Sequence, residues 1–229
     1  MGAPAADDGR WLDNPVIREG LVTAIGETLA MTGVAGLLTA LLGIPLGVLL
    51  VNTSPGGISP NAPVNRVLGA IVNVGRSLPF LILMIAIIPF TRFVVGTSLG
   101  WQAAVVPLTI GAIPFYARLV ETSLREVSAG KVEAAQMMGA TRWEVTRKVL
   151  LPEARPGLVA GLTTTIIALI GYTAMGGAVG AGGLGAVAMT YGYNRFESDV
   201  MIVCVVLLVV IVQVVQVVGD LVARRLDHR

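Results

Sequence analysis

The stretch EAAQMMGATRWEVTRKVLLPEA, from Glu133 to Ala154, is a charged segment in the middle of a very apolar chain. The run LILMIAIIP before it, and the runs TTTIIALIG and MIVCVVLLVVIV after it, contain no charged residue. A chain that keeps charges out of its long apolar runs but concentrates them in one internal segment is typical of a membrane protein. We therefore expect this segment to be a loop with a task outside the lipid.

The composition of the whole chain agrees with a membrane protein. Hydrophobic residues make up 55% of the 229 residues and charged residues only 13%, whereas soluble domains have about 25% charged residues. Several apolar runs reach the roughly 20 residues that a helix needs to cross a bilayer. The sequence therefore predicts an all-α integral membrane protein.

The charge and the cysteine content exclude several classes of function. The formal net charge is +2, but the basic residues cluster beside the apolar runs, as in membrane proteins, and do not indicate nucleic acid binding. Cys204 is the single cysteine, so the chain forms no internal disulfide and a cysteine-based metal site is not expected. Within its apolar run, Cys204 is expected to be a small apolar filler.

The pattern of apolar runs predicts five membrane-spanning helices. Pro45 lies within the first run and could kink it or end it early, and Pro79 lies within the second. The boundaries, good to a few residues, are about 20–51, 64–90, 101–117, 156–175 and 200–222.

The distribution of Lys and Arg predicts the orientation in the membrane. The segment 118–155 has seven basic residues, and the chain end adds three more: Arg118, Arg125, Lys131, Arg142, Arg147, Lys148 and Arg155, then Arg224, Arg225 and Arg229. Because basic loops stay in the cytoplasm, we expect an external N-terminal segment over 1–19, a transmembrane domain over 20–222 with a cytoplasmic loop at about 118–155, and a cytoplasmic tail over 223–229. Five spans can hardly enclose a polar pathway alone, so we expect a homodimer, the commonest oligomer.

The charged loop itself is predicted to fold into two short helices. KVEAAQMM consists almost entirely of good helix formers, and Gly139 after it suits a left-handed helix end. Thr141 and Glu144 have the spacing of a capping box, and the second helix is expected to end at Pro152. The first helix would present Ala134, Ala135, Met137 and Met138 to a cleft on another protein, or else lie on the lipid headgroups.

The loop resembles the EAA motif of the permease subunits of ABC importers. The resemblance is carried by Glu133-Ala134-Ala135, by Gly139 four positions later, and by Val149, Leu151 and Pro152, with valine in place of the usual isoleucine. Further segments, among them ETLAMT, AIVNVGRSLPF, RKVLLPEARPGLV and GYTAMGGAVGAGGLG, are similar to the permease subunits of bacterial methionine importers. The resemblance covers nearly the whole chain.

The resemblance implies a homodimeric type I ABC-importer permease in the bacterial inner membrane, which lets methionine pass into the cytoplasm. Two separate ATPase subunits would bind ATP and Mg, and an external methionine-binding lipoprotein or periplasmic protein would deliver the substrate. The chain has no G-x-x-x-x-G-K-[ST] sequence, and we expect no catalytic residue, cofactor or metal on it. The residues implied to couple it to the ATPase are Glu133, Ala134, Ala135, Met137, Met138, Gly139, Ala140, Thr141, Arg142, Leu151 and Pro152.

A glycine-rich stretch supplies a second candidate site. Gly180, Gly182 and Gly185 have the G-x-G-x-x-G spacing, but the strand that a dinucleotide site requires is missing. The plainer interpretation is tight turns and close helix packing; the functional one is an outer gate or a contact with the binding protein. The residues considered for a pathway or gate are Arg76, Tyr172, Met175, Gly180, Gly182 and Gly183. The alternative is a structural or interface role for Arg76, and helix packing for Tyr172 and Met175.

Two other functions stay open from the sequence. The same architecture could import another small amino acid or an analogue, since the binding protein selects the cargo. A stand-alone channel or secondary transporter would work without an ATPase, and would leave the charged loop unexplained.

Overall fold

The computed structural model describes residues 14–227, and every regular element in that range is a helix. The all-α prediction is therefore confirmed. The first thirteen residues of the predicted external segment and the last two residues of the predicted tail lie outside the described range. The helices are α1 (Leu21–Thr53), α2 (Ala62–Ser77), α3 (Phe80–Ala86), α4 (Ile88–Val95), α5 (Trp101–Arg125), α6 (Ala129–Met137), α7 (Arg142–Glu144), α8 (Leu151–Glu153), α9 (Arg155–Gly177), α10 (Gly183–Val187) and α11 (Ser198–Leu226).

Three shorter stretches of π-helix extend these elements. Val16–Gly20 leads into α1, Val145–Leu150 joins α7 to α8, and Ala188–Tyr193 continues α10. The connection between the predicted fourth and fifth spans is thus helical from Gly183 to Tyr193. The predicted ends at 19 and 222 also fall within helix, since helical structure begins at Val16 and α11 continues to Leu226.

Among residues 14–227, four helices are long and apolar enough to cross a membrane: Val16–Thr53, α5, α9 and α11. A fifth span results if the bent pair α2 and α3 counts as one. The predicted five spans are reached when the bent pair is counted in this way, but the second span is not the continuous helix over 64–90 that the sequence suggested.

Proline explains that break. Leu78, immediately before Pro79, has φ −77° and ψ 127°, an extended conformation, because the proline ring disfavours the helical conformation of the preceding residue. Pro45, in contrast, lies inside the 33-residue helix α1 without ending it. A helix within lipid has no other partners for its backbone groups, so the apolar flanks of Pro45 stay helical.

Helix α5 continues past Ala117, where the sequence suggested its end, to Arg125. Tyr116, Val120 and Leu124 recur every four residues along this extension, and all three are buried. A buried apolar stripe with this spacing is the usual reason for a helix to persist. The loop that follows is therefore shorter than predicted, from residue 126 to residue 154.

The described chain forms two compact units, each with its own core. The first comprises residues 14–35, 80–108 and 168–214, and the second 36–79, 109–167 and 215–227. The first core contains Leu21, Ala24, Leu184, Val200 and Cys204, which confirms the prediction of a buried, apolar role for the cysteine. The second core contains Tyr116, Val120, Leu124, Leu150, Ala154 and Leu158.

Candidate functional site

The loop between α5 and α9 is folded throughout. Its first helix, α6, ends as predicted at a glycine, since Gly139 has φ +80°. The N–H of Gly139 donates to the carbonyl of Gln136 at 2.9 Å, and the N–H of Ala140 donates to the carbonyl of Ala135 at 3.1 Å. These bonds occupy carbonyls that the last turn of a helix leaves free.

The capping box predicted at Thr141 and Glu144 is also present. Thr141 Oγ1 accepts a hydrogen bond from the N–H of Glu144, and Glu144 Oε2 accepts one from the N–H of Thr141 at 3.0 Å. Lys148 Nζ donates to Glu144 Oε1 at 2.9 Å. The hydrogen bond from Lys148, followed by those from Thr141, lowers the pKa of Glu144 from 4.5 to about 2. The second helical stretch then runs through Pro152 and ends at Glu153, one residue later than predicted.

The sequence-based prediction was wrong about one residue of α6, Ala135, which it placed on the exposed face of the helix. Ala135 is only 6% exposed and thus does not share the exposed face with Ala134. Val132, three residues earlier, packs against the second core, and residues three apart lie on the same face of a helix. Leu151, on the other side of the loop, also packs against this core.

Polar contacts attach the loop to other parts of the second unit. Arg142 Nη1 donates to Ser59 Oγ at 2.9 Å, and Asn52 Nδ2 donates to Thr146 Oγ1 at 3.3 Å. Lys131 Nζ forms an ion pair with Glu153 between the two halves of the loop. Sequence analysis did not find Asn52 and Ser59, because they precede their partners in the loop by 94 and 83 positions and no local pattern marks them.

The outer side of the loop exposes large apolar side chains. Met137, Met138 and Trp143 are 89%, 82% and 67% exposed. Exposed apolar groups of this kind mark sites of contact with another protein or with a membrane. We call the exposed set the docking surface: Glu133, Ala134, Met137, Met138, Gly139, Thr141, Arg142 and Trp143. Sequence analysis missed Trp143, although a tryptophan in a charged loop is itself a signal, because tryptophan is enriched among the residues that dominate interfaces.

The glycine-rich stretch is built by close backbone packing within the first unit. A Cβ atom on Gly177 would lie 2.2 Å from the carbonyl carbon of Gly185, and one on Gly185 would lie 2.5 Å from the carbonyl oxygen of Ala174. Gly180, Gly182 and Gly183 have positive φ values, of +87°, +83° and +73°. These contacts support the plainer interpretation of the stretch, tight turns and close packing.

Two residues of α1 hold the start of α10, and sequence analysis named neither. Glu27 Oε2 accepts a hydrogen bond from the N–H of Gly183 at 2.7 Å, and Thr28 Oγ1 accepts one from the N–H of Leu184 at 2.9 Å. The first N–H groups of a helix lack partners within the helix, so these two side chains satisfy them. A carboxylate in an otherwise apolar span was the available signal for Glu27.

The remaining pathway candidates lie in different settings. Tyr172 stacks on Phe80, with ring centroids 4.4 Å apart, and Met175 is exposed; both belong to the first unit, with the glycines. Arg76 belongs to the second unit, exposed in the last turn of α2, where a positive charge is favourable beside the negative end of the helix dipole. Residues 14–227 contain no group of three or more His, Cys, Asp or Glu side chains that could hold a metal ion.

Comparison with known proteins places this architecture among transport proteins. Residues 27–229 match the family described as binding-protein-dependent transport system inner membrane component. The chain is 56% identical to the probable D-methionine transport system permease protein MetI of Vibrio cholerae over 209 residues, which are 91% of this chain and 93% of that protein. It is 57% identical to the D-methionine transport system permease protein MetI of Escherichia coli K12 over 157 residues, 69% of this chain and 72% of that protein.

Solved structures give the same result for the fold. A chain in a structure of the MetNI methionine ABC transporter, in inward facing conformations, superposes with a TM-score of 0.92 at 52% identity, over 94% of this chain and 99% of that one. A chain of an amino acid ABC transporter crystallised with histidines superposes with a TM-score of 0.77 over 98% of this chain and all of that one. At 19% identity, the second likeness concerns the fold alone.

Proposed function

The chain belongs to the family of binding-protein-dependent transport system inner membrane components, and we propose that it is the permease subunit of an ATP-driven importer of methionine. The observation that carries the proposal is the docking surface, a folded loop that exposes Met137, Met138 and Trp143. Methionine as cargo is supported by the names and the high identity of the relatives in Vibrio cholerae and Escherichia coli. It is supported further by the likeness to the MetNI methionine transporter.

We propose that the docking surface inserts into a groove on a cytoplasmic ATPase subunit. Flexible methionine side chains adapt to an irregular groove, and Trp143 would add a large, rigid anchor. Gly139 and the capping box fix the angle between α6 and α7, while Val132 and Leu151 pack against the core behind the loop. ATP and Mg would be bound and ATP hydrolysed by the partner, and this chain would make and break no covalent bond.

The proposed assembly contains two copies of this chain, two ATPase subunits and an external methionine-binding protein. The bilayer surrounds the spans, and nucleic acid has no part in the assembly. Closure of the ATPase pair on ATP would move the charged loops of the two copies, and the binding protein would supply methionine from outside. The chain would lie in the bacterial inner membrane, with its N-terminus outside and its tail and charged loop in the cytoplasm, as the positive-inside rule indicates.

A pathway role for Arg76, Tyr172 and Met175, and a gate role for Gly180, Gly182 and Gly183, remain part of the proposal. Arg76→Gln tests the pathway most directly, because it removes the charge and keeps much of the side-chain length. Loss of uptake by a complex that assembles normally is expected. Normal uptake would remove Arg76 from the pathway.

The function as a whole is tested by uptake of labelled methionine into cells that lack their own methionine importer. The chain is expressed alone, with its ATPase, and with both ATPase and binding protein, and L- and D-methionine are measured separately. We expect uptake only with all three components, and competition by unlabelled methionine. Uptake by the chain alone would indicate a channel or secondary transporter, and an assembled complex that ignores methionine would discard the cargo.

A further inference from the structure

Glu121 is a buried carboxylate near the end of α5, and both of its oxygens are occupied. Its side chain is 7% exposed. Oε1 accepts hydrogen bonds from Arg125 Nη2 at 2.8 Å and Nε at 3.1 Å, and Oε2 accepts one from Arg118 Nη1. A buried carboxylate is costly unless paired in this manner, so the cluster holds Arg118 in one orientation.

Arg118 uses its other terminal nitrogen to reach a different helix. Arg118 Nη2 donates to Asn73 Oδ1 of α2 at 2.7 Å. The guanidinium is planar and its donors point in fixed directions. Because Glu121 fixes one edge of the group, it also aims the other edge at Asn73.

The same two helices touch again one turn away. A Cβ atom on Gly75 of α2 would lie 2.6 Å from Pro114 Cγ of α5, so the backbone of α2 lies directly against the ring of Pro114. The contact of α2 with α5 therefore has an apolar point at Gly75 and Pro114, and a polar one at Asn73 and Arg118. The polar point is directional, since a hydrogen bond depends on the angle as well as the distance.

The cluster lies directly before the charged loop. Arg125 is the last residue of α5, and only Glu126, Val127 and Ser128 separate it from α6. A force applied to the loop thus reaches the end of α5 through a short connection. From there, the Arg118–Asn73 bond is a direct polar link to α2.

We propose that Glu121 is a positioning residue of the transport cycle. It aims Arg118 at Asn73, and the bond between Arg118 and Asn73 transmits the motion of the charged loop from α5 to α2. The proposal rests on the importer function proposed above. It assigns no contact with the substrate to Glu121, Arg118 or Asn73. The cluster acts by making α2 move together with the charged loop.

The test measures uptake and ATP hydrolysis together in proteoliposomes that contain the complete importer. Asn73→Leu removes the acceptor at similar size. Because the bond is exposed, we expect the loss of methionine transported per ATP hydrolysed to be about fivefold, the scale of an ordinary hydrogen bond. Asn73→Asp keeps an acceptor and should restore most of the ratio. Ser77→Ala is the matched control on the same helix, because among residues 14–227 Ser77 Oγ bonds only to the carbonyl of Val74, and it should keep the unmutated ratio.

A double-mutant cycle separates positioning from simple stability. If Glu121 acts through the Arg118–Asn73 bond, Glu121→Gln lowers the ratio in the unmutated chain and adds little to Asn73→Leu. An assembled Asn73→Leu complex with an unchanged ratio would overturn this inference and leave the importer function intact. Absence of ATP-dependent uptake in the unmutated complex would instead overturn the proposed function, together with the inference built on it.

Discussion

The charged loop and the glycine-rich stretch both depend on glycine, but for different physical reasons. A Cβ atom on Gly139 would meet no atom of residues 14–227 within 4 Å, and its φ of +80° is the reason for glycine there. Gly177 has ordinary helical geometry, but a Cβ atom on it would lie 2.2 Å from backbone. The loop therefore leaves open space that a partner can fill, whereas the glycine-rich stretch is closely packed against other backbone within its own unit.

This difference predicts which substitutions damage the subunit and which damage only its assembly. Substitutions in the interior of the glycine-rich stretch should lower the free energy of unfolding. Substitutions in the charged loop should impair docking and transport, with little change in the stability of the isolated subunit.

The largest effect is expected for Gly177→Ala. The new methyl group would collide with backbone atoms of Gly185 and Ala186, which cannot rotate away. Overpacking of this kind costs about 3 kcal/mol, so the variant should unfold readily or fail to give monodisperse protein. The measurement is thermal unfolding in detergent, with size-exclusion chromatography as a check.

Gly171→Ala is the matched control for Gly177→Ala, because it lies on the same helix and its Cβ atom would meet nothing within 4 Å. It should change the free energy of unfolding by about 1 kcal/mol or less. Equal stability of the two variants would show that the close contact at Gly177 is not essential.

The next effect concerns Gly139→Asp in the loop. A left-handed residue with a side chain costs about 1–2 kcal/mol, so the isolated subunit should stay folded and insert into membrane. Uptake should nevertheless be lost, because a carboxylate would be desolvated on the docking surface beside Met137 and Met138. Assembly with the ATPase and methionine uptake are measured side by side.

Gly139→Asn has nearly the same size and backbone cost but no charge, and it should retain more uptake than Gly139→Asp. Uptake by Gly139→Asp at the unmutated rate would exclude this position from the contact with the ATPase. The distinction between loop and stretch would then fail at its most important residue.

A smaller loss is expected for Thr28→Val, which removes the acceptor of the Leu184 N–H at the start of α10. A buried N–H without a partner costs about 1–3 kcal/mol. Thr164→Val is the control, since Thr164 is exposed and, within the described part of the chain, its hydroxyl bonds only to the carbonyl of Ala160 in its own helix. Thermal unfolding of the two variants would argue against the cap if their midpoints were the same.

The smallest effect is a pH response of the capping box in the loop. The pKa of Glu144 lies at about 2, below its ordinary value of 4.5, so the contribution of this carboxylate to stability is present above pH 4.5 and is lost as the pH falls towards 2. Carboxyl-carbon NMR should find this low pKa in the subunit, with the signal assigned by its absence in Glu144→Gln. Lys148→Met removes the largest cause and should raise the pKa towards 4.5; an unchanged pKa would rule out that cause.

The local features of the loop could be predicted because their partners are close in sequence. The turn at Gly139 and the capping box of Thr141 and Glu144 involve residues at most five positions apart, so composition and spacing were sufficient. The direction of each face of α6 could not be predicted. Ala134 and Ala135 are chemically identical, and only the packing of Val132 on the core decides which one is buried.

The sequence by itself determined the class of the protein, the apolar runs that form its spans, the charged loop and its resemblance to importer permeases. These follow from hydrophobicity and local backbone preference, which each residue has regardless of its distant neighbours. Tertiary structure alone decided that Glu27 and Thr28 hold α10, that Ser59 contacts Arg142, and that Arg118 reaches Asn73. These pairs are 45 to 156 positions apart. A hydrogen bond between such residues forms only after packing has brought the donor and the acceptor to about 3 Å from each other at a suitable angle.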